Sequence, residues 1–140
     1  MSKLDDMIAL ARRAREHAYA PYSKFQVGAC LRGDSGRLHV GCNVENASYP
    51  ECQCAEASAI GALVAAGDKR ILEVVVVSGG DTACPPCGGC RQRLIEFAGP
   101  DVPVHLCGPQ GLIETRRLGE LMPSPFALDK TTVDKTPSKP

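Results

Sequence analysis

No apolar run in this 140-residue chain approaches the roughly 18 residues of a membrane-crossing helix, so no membrane partner is expected. Neither sign of charge is in excess: 16 Lys and Arg face 16 Asp and Glu. That balance offers no basic surface to a nucleic acid, and a small or neutral ligand is the expected partner. The opening Met1-Ser2-Lys3-Leu4-Asp5-Asp6 lacks the apolar stretch that follows the basic start of a signal peptide, so the expected compartment is the cytoplasm. No internal repeat is present. Length and apolar content suit one compact domain with a single core.

Cysteine is what the chain does have, eight times: at 30, 42, 52, 54, 84, 87, 90 and 107. In an exported protein these would read as a disulfide framework; without an export signal they read as metal ligands plus buried thiols. Cys30, Cys42 and Cys107 fall inside apolar, strand-like runs and are expected to be small core residues. Cys54-Ala55-Glu56 and Pro86-Cys87-Gly88-Gly89-Cys90 are of another kind. Three thiolates are one ligand short of a closed tetrahedral zinc site, and a catalytic zinc keeps that fourth position for water. Glu56, two residues from Cys54, has the chemistry to move that water's protons.

Local patterns place these residues. Leu4, Met7, Ile8, Ala11, Ala14 and Ala18 recur at helical spacing, predicting an amphipathic helix capped by Ser2 or begun at Asp5. Gln26 to Leu31 and Arg37 to Cys42 read as strands joined by a turn at Gly33-Asp34-Ser35-Gly36, and Asn43 to Gln53 as a loop. Cys54 to Ala66 predicts a helix stopped by Gly67. Leu72 to Ser78, with four consecutive valines, predicts a strand buried on both faces. Gly89 to Phe97 reads as a helix, Pro103 to Cys107 as a strand, Gly111 to Thr115 as a short strand and Leu118 to Met122 as a helical turn. The order predicts an α/β domain with a mixed sheet between helical layers, and puts both cysteine clusters at loop-to-helix junctions.

Two helix N-termini meeting at one ion is coherent chemistry, since unpaired N–H groups and the positive dipole ends favour thiolates. Other readings of the same residues exist. Cys52 or Cys84 could supply a fourth sulfur to a structural zinc, Cys87 and Cys90 could form a redox pair, and Glu56 could be an ordinary acid at a helix start. The first gains little from spacing, because Cys52-x-Cys54 lacks the usual gap of about two to four residues. The second leaves Cys54 and Glu56 idle.

Four stretches in order carry a resemblance: Ala20-Pro21-Tyr22-Ser23-Lys24-Phe25-Gln26-Val27-Gly28-Ala29, Gly41-Cys42-Asn43-Val44-Glu45-Asn46-Ala47-Ser48-Tyr49-Pro50, Cys54-Ala55-Glu56, and Pro86-Cys87-Gly88-Gly89-Cys90-Arg91-Gln92. Together they resemble the small homotetrameric cytidine deaminases over about residues 5 to 128, and the metal motif is itself the known signature of zinc deaminases. The resemblance implies a three-layer α/β/α sandwich with a mixed, roughly five-stranded sheet over residues 1–128, followed by a tail at 129–140 expected to be disordered. It implies zinc-dependent deamination of cytidine and 2'-deoxycytidine in pyrimidine salvage, with one zinc per subunit on Cys54, Cys87 and Cys90 and Glu56 shuttling protons. Phe25 would lie against the pyrimidine, Asn43 and Glu45 would bond the ribose hydroxyls, and the backbone of Ala55 would contact the base. Ala47, Tyr49 and Phe126 match positions through which neighbouring subunits of a tetramer complete each other's pockets. Where the family commonly has Arg after Cys-Ala-Glu, this chain has Ala57, and Arg91 is expected to offset the thiolate charge by bonding a ligand sulfur. The alternatives are a deaminase of a modified nucleoside or of an antibiotic of the blasticidin S type, or a non-catalytic module built on a structural zinc.

Overall fold

A computed structural model describes residues 2–128; the tail expected at 129–140 lies outside the described residues. Helix α1 (Lys3–Glu16) opens with a capping box in which the Ser2 hydroxyl accepts from the Asp5 N–H at 3.1 Å and the Asp5 carboxylate accepts from the Ser2 N–H at 3.3 Å. Both candidate starting residues therefore take part, Ser2 as cap and Asp5 one turn in. Strands β1 (Gly28–Gly33) and β2 (Leu38–Cys42) form an antiparallel hairpin whose turn carries Gly36 at φ 89°. Helix α2 (Ala55–Ala65) precedes β3 (Ile71–Val77), and α3 (Gly88–Phe97) precedes β4 (Pro103–Gly108), β5 (Gly111–Arg117) and the short α4 (Leu118–Leu121).

The sheet has five strands in the order β2-β1-β3-β4-β5, with β3 and β4 parallel and the other pairs antiparallel. The valine run sits at its centre. Val74 and Val76 join the core that packs under α2, α3 and α4, while Val75 and Val77 join a second core beneath α1. A strand whose successive side chains are buried on opposite faces is what a continuous apolar run predicts. The architecture is the expected three-layer α/β/α sandwich, and each fully buried valine or leucine contributes roughly 1.5–3 kcal/mol. No helix among the described residues is long and apolar enough to cross a membrane.

Cys30 and Cys107 are buried in the α1 core as expected, whereas Cys42, at the end of β2, is only half-buried. The strand expected from Gln26 begins at Gly28, because the Gln26 carbonyl is taken by the Arg15 Nε–H at 2.9 Å. Gly41 fixes where α2 begins: a Cβ there would stand 2.4 Å from the Ala59 backbone nitrogen and 2.6 Å from the Ala55 carbonyl oxygen. Only a glycine lets the first turns of α2 lie this close to β2. At its other end α2 closes in a Schellman arrangement, with Gly67 at φ 100°, Gly67 N–H bonded to the Val64 carbonyl and Asp68 N–H to that of Leu63. The loop from Asn43 to Gln53 is pinned by bridges of Val44 to both Tyr19 and Gln53, and holds a 3-10 turn at Tyr49–Glu51.

Candidate metal centre

Cys54 and Cys87 are the N-cap residues of α2 and α3, and neither helix start has a side-chain cap bond. The positive ends of both helices are thus turned on the same small volume without a side chain to satisfy them. Cys90, in the first turn of α3, is fully buried. The Cys54 and Cys87 sulfurs lie 3.9 Å apart, and all three sulfurs fall within 4.8 Å of one another. Zinc–sulfur bonds of about 2.3 Å in tetrahedral geometry put sulfurs about 3.8 Å apart, so the donor set fits that ion. Among the described residues no fourth thiol, imidazole or carboxylate joins the group. Cys52 is turned away, its sulfur paired with the backbone of Asn46 through bonds of 3.3 and 3.6 Å.

The environment separates these groups electrostatically. Hydrogen bonding from Cys90, helped by Cys87 and the charge of Arg93 and opposed by burial, draws the Cys54 thiol down to about 6. The Cys90 thiol, donor to Cys54 and buried, is pushed far up. Glu56, in the first turn of α2, is 5% exposed. Its carboxyl is pushed up to about 7, chiefly by burial and further by the negative Cys54, against the opposing pull of its own backbone N–H, Arg93 and the Cys90 thiol. An acid held near neutrality beside a metal-binding group can both take and give a proton at physiological pH.

A cavity of about 210 Å³ opens over this acid, lined by Phe25, Val27, Asn43, Cys54, Ala55, Glu56, Val76, Cys84, Pro85 and Cys87. Phe25, Asn43 and Ala55 thus line one cavity with Cys54, Cys87 and Glu56. Asn43 is held at both ends of its amide, accepting from Val27 N–H and donating to the Phe25 carbonyl, each at 2.8 Å. Glu45 lies elsewhere, in a neighbouring depression with Tyr22, Ser23, Tyr49 and Cys52. Its carboxylate accepts from the Tyr22 and Ser23 N–H groups and from the Ser23 hydroxyl, and the Ser23 bonds hold it below the usual range. Ala47, Tyr49 and Phe126 are exposed and do not line the cavity. Phe126 is nonetheless fixed, because the Gln92 side-chain amide bonds both its N–H and its carbonyl, at 3.0 and 2.8 Å.

One expectation is corrected. Arg91 does not reach a sulfur: its Nε donates to the Pro86 carbonyl at 2.7 Å and its Nη1 to the Leu121 carbonyl at 3.0 Å. Its planar fork ties the loop before α3 to the end of α4, because the side chain leaves the helix on that side. The cation whose charge reaches both Cys54 and Glu56 is Arg93, which the motif reading passed over because it lies beyond the Cys-Arg-Gln run.

A structural zinc site closes itself with a fourth protein ligand, sulfur or imidazole, whereas a catalytic one leaves that position to solvent. Among the described residues the chain is thus an α/β/α domain whose centre gathers three thiols suited to zinc beside a buried acid. Residues 1–106 match the family described as the cytidine and deoxycytidylate deaminase zinc-binding region. A cytidine deaminase of Sporosarcina psychrophila is 39% identical over 124 residues, covering 89% of this chain and 91% of that protein. The crystal structure of a cytidine deaminase from Burkholderia pseudomallei, 42% identical, superposes with a TM-score of 0.84 over 90% of this chain and 100% of that one. That of the cytidine deaminase from Mycobacterium tuberculosis, 39% identical, gives 0.78 over 91% and 100%. The chain belongs to the cytidine deaminase family.

Proposed function

We propose that this protein is a zinc-dependent deaminase that converts cytidine and 2'-deoxycytidine to uridine and 2'-deoxyuridine with release of ammonia, in cytoplasmic pyrimidine salvage. The observation that carries the reading is Glu56: a buried carboxyl pushed up to about 7, beside three gathered thiols, at the wall of a cavity. Cys54, Cys87 and Cys90 hold one zinc per subunit. When bound, zinc supplies Lewis acidity that lowers the pKa of a water from about 15.7 toward neutrality. Glu56 accepts the attacking water's first proton and passes it to the ring nitrogen N3, then takes the second proton from the new C4 hydroxyl and gives it to the amine as the C4–N bond breaks. Water and cytidine thereby become uridine and ammonia, with one side chain alternating as base and acid.

The remaining residues bind and orient. Phe25 lies against the pyrimidine face, the Ala55 backbone contacts the base, and Asn43 in the cavity and Glu45 from the depression beside it bond the ribose hydroxyls. Their engagement with the Ala20–Val27 segment holds those two side chains in place before substrate arrives. A homotetramer of domains spanning residues 1–128 would bring Ala47, Tyr49 and Phe126 of one subunit to another's pocket. Tyr49 and Phe126, 69% and 72% exposed, are large apolar surfaces that such an assembly would cover.

The test is ammonia release from cytidine before and after zinc is removed by a chelator. Release should fall to background on chelation and return with added zinc. Release that is indifferent to the chelator would overturn the reading. A panel of cytidine, deoxycytidine and blasticidin S assigns the substrate.

A further inference from the structure

Most of the Phe126 side chain is exposed, yet its backbone is held at both polar groups. The Gln92 side-chain oxygen accepts from the Phe126 N–H at 3.0 Å, and the Gln92 amide nitrogen donates to the Phe126 carbonyl at 2.8 Å. Fixing a backbone costs about 1–2 kcal/mol per residue, and here the residue fixed presents its ring to the outside. We propose that Gln92 is the positioning residue of the C-terminal strap, residues 122–126: by gripping Phe126 at both backbone groups it preorganises the ring that a second copy of this chain receives at its substrate cavity, and so sets the affinity for nucleoside. This role rests on the shared-pocket reading above and adds to it the residue that holds the ring in one place.

The geometry is specific. A carboxamide carries a donor and an acceptor on one planar group, which lets Gln92 pair with a backbone residue as a neighbouring strand would. Asn offers the same pair from a shorter stem, and Glu offers acceptors alone. Between Leu121 and Phe126 the strap reads Met122-Pro123-Ser124-Pro125. Its prolines fix φ and carry no N–H, so they stiffen the strap without tying it to the body. The ties come from α3. Arg91 donates to the Leu121 carbonyl at 3.0 Å, just before the strap begins, and Gln92 takes Phe126 where it ends. Both residues follow Cys90 directly, so the helix that carries Cys87 and Cys90 also places the ring. The receiving cavity has apolar walls in Phe25, Val27, Val76 and Pro85. An aromatic anchor already fixed in place loses less entropy on docking there than a free one.

The experiment compares the full-length wild type with Gln92→Met, Gln92→Glu, Phe126→Ala and the double variant of Gln92→Met with Phe126→Ala. It reads kcat and KM for cytidine, subunit number by sedimentation, and hydrogen exchange at the Phe126 amide. Gln92→Met keeps the length of the side chain and loses both bonds. It should raise KM about tenfold, roughly the worth of two hydrogen bonds, with kcat nearly unchanged, the assembly intact and the Phe126 amide exchanging faster. Gln92→Glu sets a carboxylate against the Phe126 carbonyl and should resemble Gln92→Met. Phe126→Ala should raise KM at least as much, and adding Gln92→Met to it should change nothing more, because Gln92 acts through Phe126. An unchanged KM in Gln92→Met, a loss that falls on kcat instead, or a loss that adds in full to that of Phe126→Ala overturns the role of Gln92 and leaves the shared pocket standing. A monomeric wild type, or a Phe126→Ala variant with the wild-type KM, overturns the shared pocket and the proposal with it.

Discussion

Glu56 lies in the first turn of α2 and Asp68 just past its last, and both are nearly out of water, at 5% and 4% exposure. The helix dipole favours a negative charge at Glu56 and disfavours one at Asp68, by about 0.3–1 kcal/mol. The observed shifts run the other way. Glu56 is pushed up to about 7 by burial, while Asp68 is held below its ordinary value. Burial acts upward on Asp68 too, but His39 and Ser35 bond its carboxylate at 2.7 and 2.8 Å and Arg37 adds its charge from 3.7 Å. Donors, not helix ends, decide the outcome. One acid is furnished with partners; the other is left short of them, as suits the proton carrier proposed above.

The largest test of this contrast removes the proposed proton carrier. Glu56→Gln keeps the size and burial of the side chain but cannot carry protons, so ammonia release should fall by about 10²–10⁴-fold. Zinc content and melting temperature should stay at or above those of the wild type. Near-normal turnover in this variant would end the assignment of Glu56 as proton carrier.

Next in size is the structural acid. Asp68→Ala leaves His39, 7% exposed, without its partner and should destabilise the fold by about 3 kcal/mol, read from denaturant midpoints. The turnover of the molecules that remain folded should be unchanged, because Asp68 stands at the end of α2 away from the sulfurs. A fall in turnover without a fall in stability would erase the distinction between the two ends of the helix.

The stability–pH profile sharpens the comparison further, since the two acids contribute with opposite sign. The folded state holds Glu56's proton up to about 7, against 4.5 for the free side chain, so it binds more protons than the unfolded chain between those values. Stability from this group therefore falls as pH rises through that window, by an amount on the order of 2–3 kcal/mol. Asp68 is lowered, so its contribution is complete above its unfolded value of 3.8 and is lost as pH falls below it. Glu56→Gln should flatten the profile between about pH 4.5 and 6, below the range where the lowered Cys54 thiol ionises and adds stability with rising pH, and leave the acid limb as it was, as followed by urea unfolding of the chelated protein. Persistence of the slope in the variant would mean that another group titrates there.

What could be read from the sequence follows the same division. Glu56 and the three sulfurs were legible because each sits within two or three residues of its motif partners, at a helix start that local patterns locate. The sheet's centre was legible from four adjacent valines, whose alternate burial needs no knowledge of distant chain. Asp68 was not, since His39 and Ser35 lie 29 and 33 residues away and meet it only once the β1–β2 hairpin folds over the end of α2. The same limit misdirected Arg91. Adjacency to Cys90 suggested a sulfur partner, but the direction of a side chain leaving a helix, and the carbonyl of Leu121 waiting 30 residues on, are tertiary facts.

The smallest expected effect probes how Asp68 is furnished. Ser35 sits on the exposed hairpin turn, where its hydroxyl donates to Asp68 and accepts from the Arg37 N–H and Nε–H at 3.2 and 3.1 Å. Ser35→Ala removes one of the donors that hold Asp68 down but leaves the shorter bond to His39, and water can reach the turn to replace part of what is lost. The cost should therefore be about 1 kcal/mol, that of a single hydrogen bond. The midpoint of urea unfolding should shift with its slope unchanged, and the acid limb of the stability profile should move upward in pH as Asp68 relaxes toward its ordinary value. Turnover should not change. A shift in turnover would show that the end of α2 at Asp68 communicates with the end at Glu56, and the division of labour between the two acids would have to be abandoned.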